Sequence, residues 1–121
     1  MSLDTSTVLG LAMRDDEIER QRAMPYRDYL KTPWWAFVHD RTIKRANGCC
    51  ELCQDATATE AHHTTYERIG CERPDDMVAL CRDCHQHVTD NKLGSLSRRD
   101  LLRRRRELLH SPEFGRAWGR F

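Results

Sequence analysis

The strongest apolar pattern in the chain follows Thr32 and predicts a helix. Thr32-Pro33 is a helix start signal, because threonine caps the first turn and proline fits the first helical position. Asn47-Gly48 predicts the end of this helix, since glycine is favoured just past a C-cap. The apolar positions between these signals are Trp34, Trp35, Phe37, Val38, Ile43 and Ala46. We expect the aromatic side chains to form core, with a base-stacking platform as the alternative.

In the middle of the chain, the sequence pattern predicts shorter secondary-structure elements. Apolar periodicity fades after Cys49, and turn residues separate two predicted strands, residues 59–62 and 77–80. A helix is predicted over about residues 82–91, and Gly94 breaks it.

Helices are also predicted near both ends of the chain. Residues 15–22 form a marginal helix in the N-terminal segment. Ser97, with Asp100 three positions on, resembles a capping box and opens a last helix over residues 98–110. The apolar stripe of that helix is Leu101, Leu102, Leu108 and Leu109, and arginines cover the rest.

Composition limits the chain to one small domain. It has 121 residues, of which 39% are hydrophobic and 32% are charged, so its core is lean. A domain of this kind usually needs a staple such as a metal ion or disulfides. We therefore expect a partly helical leader (1–31), a stapled domain with its preceding helix (32–92), and a basic C-terminal helix and tail (93–121).

Charge is unevenly distributed, although the formal net charge is only +1. Residues 1–24 lean acidic, whereas residues 98–121 are rich in arginine. A basic arm of this kind suits DNA phosphates, with Arg103 and Arg106 as candidate contacts. The alternative is a solvated arginine-rich helix.

Targeting signals are not evident. The N-terminal segment lacks the basic region and the apolar run of a signal peptide. No stretch approaches the roughly 18 apolar residues that a membrane helix requires. We therefore expect a cytoplasmic protein with no membrane partner, in a reducing compartment where thiols stay free to bind metal.

Six cysteines include two CxxC pairs, Cys50/Cys53 and Cys81/Cys84. Two such turns present four thiolates to one tetrahedral ion, so the spacing predicts a structural zinc site. Redox chemistry is the alternative, but it requires no second pair and the chain lacks the surrounding βαβ pattern. A zinc ion closed by four thiolates has no open position and cannot be catalytic. Cys49 could compete with Cys50 but lacks the two-residue gap, and Cys71 is expected to be a free thiol.

Histidines gather inside the stapled region. His62 and His63 are adjacent at the end of a predicted strand, so their side chains point to opposite faces. His85 directly follows the second CxxC pair, and the staple should bring it near the other two. One histidine can therefore ligate a metal ion while its neighbour addresses a substrate. Spare zinc ligands or ordinary surface residues are the alternatives, and surface positions are expected for His39, His87 and His110.

These residues resemble the HNH endonucleases, which have the ββα-metal (His-Me finger) fold. The resemblance covers about residues 45–89. It rests on both CxxC pairs, on His62-His63 with the following Tyr-Glu-Arg-x-Gly, on the Asp-Met-Val-Ala-Leu-Cys segment, and on Cys84-His85. It implies a small zinc-stapled α+β domain flanked by N- and C-terminal helices. The implied function is a metal-dependent endonuclease or nickase that hydrolyses phosphodiester bonds in DNA.

The resemblance also implies a role for each site residue. His62 and His85 would ligate a catalytic divalent ion such as Mg²⁺ or Mn²⁺, and His63 would be the general base that deprotonates water. Asp76 falls where the family has the asparagine that braces the loop of the base. Tyr66 and Arg68 are candidates for contacts with the phosphate backbone, with packing and solvated charge as the alternative.

Two departures from the family pattern keep a second function open. Asp76 can accept the backbone hydrogen bonds of an asparagine but cannot donate. Thr89 stands where many members have a further histidine ligand, which would leave the ion to His62 and His85, with assistance from Thr89, His87 or Asp90. With its site eroded in this way, the chain would be a non-catalytic zinc module that binds DNA or a protein partner.

Overall fold

The computed structural model describes residues 15–105 and residue 107. Within them the fold is a small mixed α+β arrangement of helices around a two-stranded antiparallel sheet. The helices are α1 (Asp15–Ala23), α2 (Tyr26–Tyr29), α3 (Pro33–Arg45), α4 (Arg82–Asp90) and α5 (Arg98–Arg103). The strands are β1 (Glu60–His63) and β2 (Met77–Leu80), and a 3-10 turn (Pro74–Asp76) leads into β2.

Local signals in the sequence set the ends of α3. The Thr32 side chain accepts a hydrogen bond from the Trp35 backbone N–H at 3.1 Å, which caps the first turn. At the other end, Asn47 and Gly48 have φ values of 54° and 74°, and the Gly48 N–H donates to the Ile43 carbonyl at 3.0 Å. The predicted boundaries of this helix are confirmed.

The other predicted elements agree with the structure to within a residue or two, with one exception. The first strand begins and ends one residue later than predicted, and the second is Met77–Leu80 as predicted. Ser97 caps α5 by accepting from the Asp100 N–H at 3.1 Å, and α5 covers Arg98–Arg103 of the predicted residues 98–110, with Arg105 and Glu107 helical beyond the turn at Arg104. Residues 106 and 108–121, with Arg106, Leu108, Leu109 and His110, lie outside the described residues.

The hairpin joins two clusters of buried side chains. β1 and β2 pair with Glu60 opposite Leu80 and His63 opposite Met77. All four residues of β2 are buried, because both faces of the strand are covered. One face contributes to a cluster around the cysteines, with Val78, Leu80, Val88 and Leu101. The other contributes Met77 to an aromatic cluster with Tyr29, Trp34 and Val38.

Glu51, inside the first CxxC turn, ties three elements together. Its carboxylate accepts from Arg45 of α3 and from Arg98 of α5, each at 2.7 Å, and from the Ala79 backbone N–H at 2.9 Å. The first cysteine turn is thereby fixed to α3, to β2 and to α5. No helix in the described part of the chain is long and apolar enough to span a membrane.

Candidate functional site

The four cysteines of the two CxxC pairs form one buried cluster. The sulfur atoms of Cys50, Cys53, Cys81 and Cys84 all lie within 4.8 Å of one another. The first pair follows α3, and the second lies in the first turn of α4, where Cys81 is the N-cap. The cluster is positioned to hold a metal ion, as the spacing predicts. Cys49 and Cys71 are not part of it, which confirms the choice of Cys50 over Cys49.

Backbone N–H groups point at the sulfur atoms. Cys53 N–H donates to the Cys50 sulfur at 3.5 Å, and Cys84 N–H donates to the Cys81 sulfur at 3.4 Å. Asp55 N–H donates to the Cys53 sulfur, also at 3.4 Å. Donors of this kind stabilise thiolates, and four thiolates are a donor set that structural zinc takes. The four cysteines therefore fit a structural zinc ion whose coordination shell they fill completely.

Three of the four thiols, those of Cys53, Cys81 and Cys84, have raised pKa values and hold protons that a metal ion must displace. Burial raises the pKa of Cys81 to about 12. The hydrogen bond between Cys50 and Cys84 raises the pKa of Cys84 and lowers that of Cys50 to about 5. Metal binding at this cluster therefore releases protons and weakens as the pH falls.

His62 and His63 lie on opposite faces of β1, as predicted. His62 faces α4, and its ring centroid lies 5.2 Å from that of His85. Its Nε2 lies 3.1 Å from the Gly94 carbonyl, which can only accept, so Nε2 carries the proton and Nδ1 has the lone pair. Burial, with the nearby His85, lowers the pKa of His62 to about 4, so its ring is neutral near pH 7.

Glu60 orients His85. The carboxylate of Glu60 lies 2.5 Å from His85 Nδ1, and both side chains are about one-third exposed, at 35% and 31%. A carboxylate behind one ring nitrogen fixes a histidine so that the other nitrogen can bind a metal ion. The available ligand atoms are thus Nδ1 of His62 and Nε2 of His85, beside an open cleft that Thr64, Thr89 and Lys92 also line.

This histidine pair is not a preassembled metal site of three or more ligands. Among the described residues, the four cysteines are the only such group whose ligand atoms lie within 4.8 Å of one another. Thr89 is one helical turn from His85 and lines the same cleft. His87 lies on the opposite side of α4 and is buried, so the prediction of a surface histidine at this position is wrong.

His63 is enclosed on the other side of the hairpin. Its side chain is 1% exposed and stacks between Trp35, at 5.0 Å, and Tyr66, at 4.9 Å between ring centroids. Nε2 lies 2.8 Å from a carboxylate oxygen of Glu72, and Nδ1 lies 3.3 Å from the Tyr26 hydroxyl. His63 lines the same cleft as His62 and His85, but its ring is covered there by Tyr26 and Tyr66.

Asp76 braces the loop that follows the histidines. Its carboxylate accepts from the Arg68 guanidinium at 2.8 and 2.5 Å and from the Arg73 N–H at 2.9 Å. Its carbonyl accepts from the Thr64 N–H at 2.8 Å. Burial opposes ionisation, but the hydrogen bonds from Arg68 and Arg73 lower the pKa of Asp76 below its usual range. This loop therefore depends on an ionised aspartate.

The candidate DNA contacts have different surroundings. Arg68 is paired with Asp76, and its side chain is 31% exposed. Tyr66 is 58% exposed, with one ring face on His63. Arg103 is exposed on α5, and Arg106 lies outside the described residues.

Sequence reasoning missed three residues of the site, Glu60, Glu72 and Tyr26. Glu60 had a usable signal, because residues two apart on a strand share a face and Glu60 precedes His62 by two. Glu72 lies in a polar loop and Tyr26 in a short helix that no pattern predicted. Glu72 and Tyr26 come into contact with His63 only in the tertiary structure.

Comparison with known proteins gives no relative for this chain: no family model, curated protein or solved structure matches it.

Replacing a cluster cysteine should remove the bound ion and with it the fold. Cys81→Ser is expected to lower bound zinc and abolish cooperative thermal unfolding, because the free energy of binding a structural ion is largely free energy of folding. Elemental analysis and circular dichroism measure the two effects. Cys71→Ser is the control, since this cysteine is outside the cluster, and should retain both. Well-folded wild-type protein without zinc would contradict the assignment.

Asp76 should stabilise the fold in a pH-dependent way. Its pKa is lower in the folded chain than in the unfolded chain, so its contribution is complete above the ordinary value of about 4 and is lost as the pH falls through the lowered value. Asp76→Asn is expected to cost about 1 kcal/mol at neutral pH, and the difference from wild type should shrink in acid.

Urea unfolding of both proteins across the acid range measures this difference. Asp75→Asn is the matched control, because the neighbouring Asp75 side chain is 88% exposed and should contribute little. A cost for Asp76→Asn that does not change with pH would contradict the role given to its charge.

Proposed function

We propose that this chain is a metal-dependent DNA endonuclease or nickase of the HNH type, built on a structural zinc ion. The observation that carries the proposal is the convergence of His62 on β1 and His85 on α4, with rings 5.2 Å apart beside an open cleft. Separate segments of the chain supply the two histidines, and the cysteine cluster sits where β2 runs into α4. A histidine pair of this kind, adjoining His63 and the Asp76 loop, is what the resemblance to HNH endonucleases implies.

The donor set suits a second, weakly held divalent ion. Two imidazole nitrogens, Nδ1 of His62 and Nε2 of His85, would hold it together with water and substrate phosphate. Imidazole ligands favour transition metals over Mg²⁺, so Mn²⁺ or a later ion is the better match. A divalent ion bound there would neutralise the charge that develops on the phosphate and on the leaving 3′-oxygen.

Protein groups have separate tasks in this proposal. Glu60 orients His85, and the Gly94 carbonyl fixes the tautomer of His62. His63 is the general base, and the loop that Asp76 braces holds the strand end that carries it. Products with 5′-phosphate and 3′-hydroxyl ends are expected.

A second candidate function is a non-catalytic zinc module that binds DNA or a protein. The burial of His63 favours it, because a base at 1% exposure with both ring nitrogens engaged cannot reach water without a movement of Tyr26 or Tyr66.

Plasmid nicking separates the two functions. With Mg²⁺ or Mn²⁺ present, the zinc-loaded chain is expected to nick supercoiled DNA, and His63→Ala to lose about a hundredfold or more in rate. His39→Ala is the control, because His39 lies on α3 and bonds the Thr59 carbonyl away from the cleft. Thermal melting of each variant separates lost chemistry from lost fold. A wild-type chain that cuts nothing with either ion would favour the binding module.

Mn²⁺ titration calorimetry on the same proteins tests the division of roles. His62→Ala and His85→Ala should weaken binding of the second ion, whereas His63→Ala should not. Equal affinity in all three variants would refute the assignment.

The exposed arginines of α5 should contribute to DNA affinity through phosphates. Arg99 and Arg103 are exposed and lie one helical turn apart, so both can face one backbone. Replacing both by glutamine should reduce the slope of log affinity against log salt by roughly one to two units, at about 0.9 per contact. The loss should be alike for all sequences, since phosphate contacts carry no sequence information.

Fluorescence anisotropy with duplex DNA over a range of salt concentrations measures this slope. Arg20→Gln is the control, because Arg20 lies on α1 and is paired with Glu17. An unchanged slope in the double variant would make α5 a structural cap over the cysteine cluster.

A further inference from the structure

Glu72 is a buried carboxylate that nothing in the proposed function uses. Its side chain is fully buried, and each of its oxygens accepts two hydrogen bonds. One oxygen accepts from Trp34 Nε1 at 2.9 Å and from the Gly70 N–H at 3.1 Å. The other accepts from the Tyr29 hydroxyl at 2.5 Å and from His63 Nε2 at 2.8 Å. The carboxylate is therefore fixed in one orientation.

The His63 ring is fixed as well. Trp35 lies nearly parallel to one of its faces, at an interplanar angle of 17°, and Tyr66 covers the other at 27°. A ring flip within this stack would place carbon atoms against the Glu72 carboxylate and the Tyr26 hydroxyl. Both hydrogen bonds of His63 would then be lost in a buried site, which leaves polar groups without partners and disfavours the flipped ring.

The protonation states follow from the partners. Burial opposes ionisation of Glu72, but hydrogen bonds from His63, Tyr29 and Trp34 lower the pKa of the carboxyl. An ionised carboxylate only accepts, so His63 Nε2 carries the proton and a neutral ring has its lone pair on Nδ1. Burial raises the pKa of Tyr26, which keeps its hydroxyl able to donate to that lone pair.

We propose that Glu72 is a positioning residue that holds His63 as its Nε2–H tautomer and so makes Nδ1 the proton-accepting nitrogen. This inference rests on the proposed nuclease function. Tyr26, 3.3 Å from Nδ1 and 44% exposed, stands between that nitrogen and solvent. Its hydroxyl oxygen marks the place that an attacking water takes when Tyr26 moves aside.

Each proton in the proposed hydrolysis step has a donor and an acceptor. Water gives a proton to His63 Nδ1 as its oxygen forms a bond to phosphorus, and the bond from phosphorus to the leaving 3′-oxygen breaks. The 3′-oxygen takes a proton from solvent, and the imidazolium returns its Nδ1 proton to solvent. Glu72 stays ionised throughout and stabilises the imidazolium through the Nε2–H bond, without accepting that proton.

The tautomer of His63 in the wild-type chain is the first test. Long-range ¹H–¹⁵N correlation spectra of the zinc-loaded full chain at neutral pH report which ring nitrogen carries the proton. We expect a protonated Nε2 and an unprotonated Nδ1. An Nδ1–H tautomer, or a doubly protonated ring, would overturn the proposal, and this measurement needs no variant to fold.

Variants then separate positioning from packing. Glu72→Gln is expected to lose the single tautomer and to lower kcat for nicking about 10- to 100-fold with KM unchanged. Glu72→Asp keeps a carboxylate and should recover part of the rate. Trp34→Phe is the structural control, because it removes a donor from the far oxygen of Glu72. It should lower the melting temperature and leave the His63 tautomer as in wild type.

The outcomes distinguish this inference from the proposed function. A Glu72→Gln variant that folds and nicks like wild type would overturn the positioning role and leave the nuclease intact. A wild type that does not nick would refute the nuclease, and with it the catalytic part of this inference, whereas the tautomer would still show whether Glu72 orients His63.

Discussion

The arrangement of the fold depends on four buried sulfur atoms that must lie together. Cys50 and Cys53 follow α3, whereas Cys81 and Cys84 begin α4, so their cluster joins two distant parts of a short chain. A domain with so lean a core gains from such a staple, because each joined segment no longer needs a large apolar contact of its own. Leu101 of α5 and Val88 of α4 pack on the same cluster, which extends it into one of the two cores.

The hairpin divides the site into two halves with different neighbours. His62 faces α4 and an open cleft, where His85 and Glu60 complete a polar group. His63 faces α2 and α3, where aromatic rings and Glu72 enclose it. Both histidines are buried, at 7% and 3% exposure, but His62 contacts His85 and the Gly94 carbonyl whereas a carboxylate and aromatic rings hold His63. This separation follows from the β-strand itself, because successive side chains point to opposite faces of the sheet.

Buried carboxylates hold the irregular segments in place. Glu51 fixes the first cysteine turn, Glu72 fixes the segment around Gly70, and Asp76 fixes the loop between the strands. In each case hydrogen bonds from arginine, aromatic or backbone donors offset the cost of burying charge, and they lower the pKa of the group. Such networks keep one geometry, since any displaced donor leaves a buried charge short of a partner.

The sequence by itself determined the features that depend on local chemistry. Thr32-Pro33 and Asn47-Gly48 set the ends of α3, the two CxxC pairs set the cysteine cluster, and adjacency placed His62 and His63 on opposite faces. These signals act within a few residues, so their spacing is enough. The surroundings of His63 were decided only by the tertiary structure, because Tyr26, Trp35 and Glu72 are remote from it in sequence and meet it through packing. The same holds for the ion pair of Arg68 with Asp76, which lies eight residues further along the chain and is brought back to Arg68 by the loop.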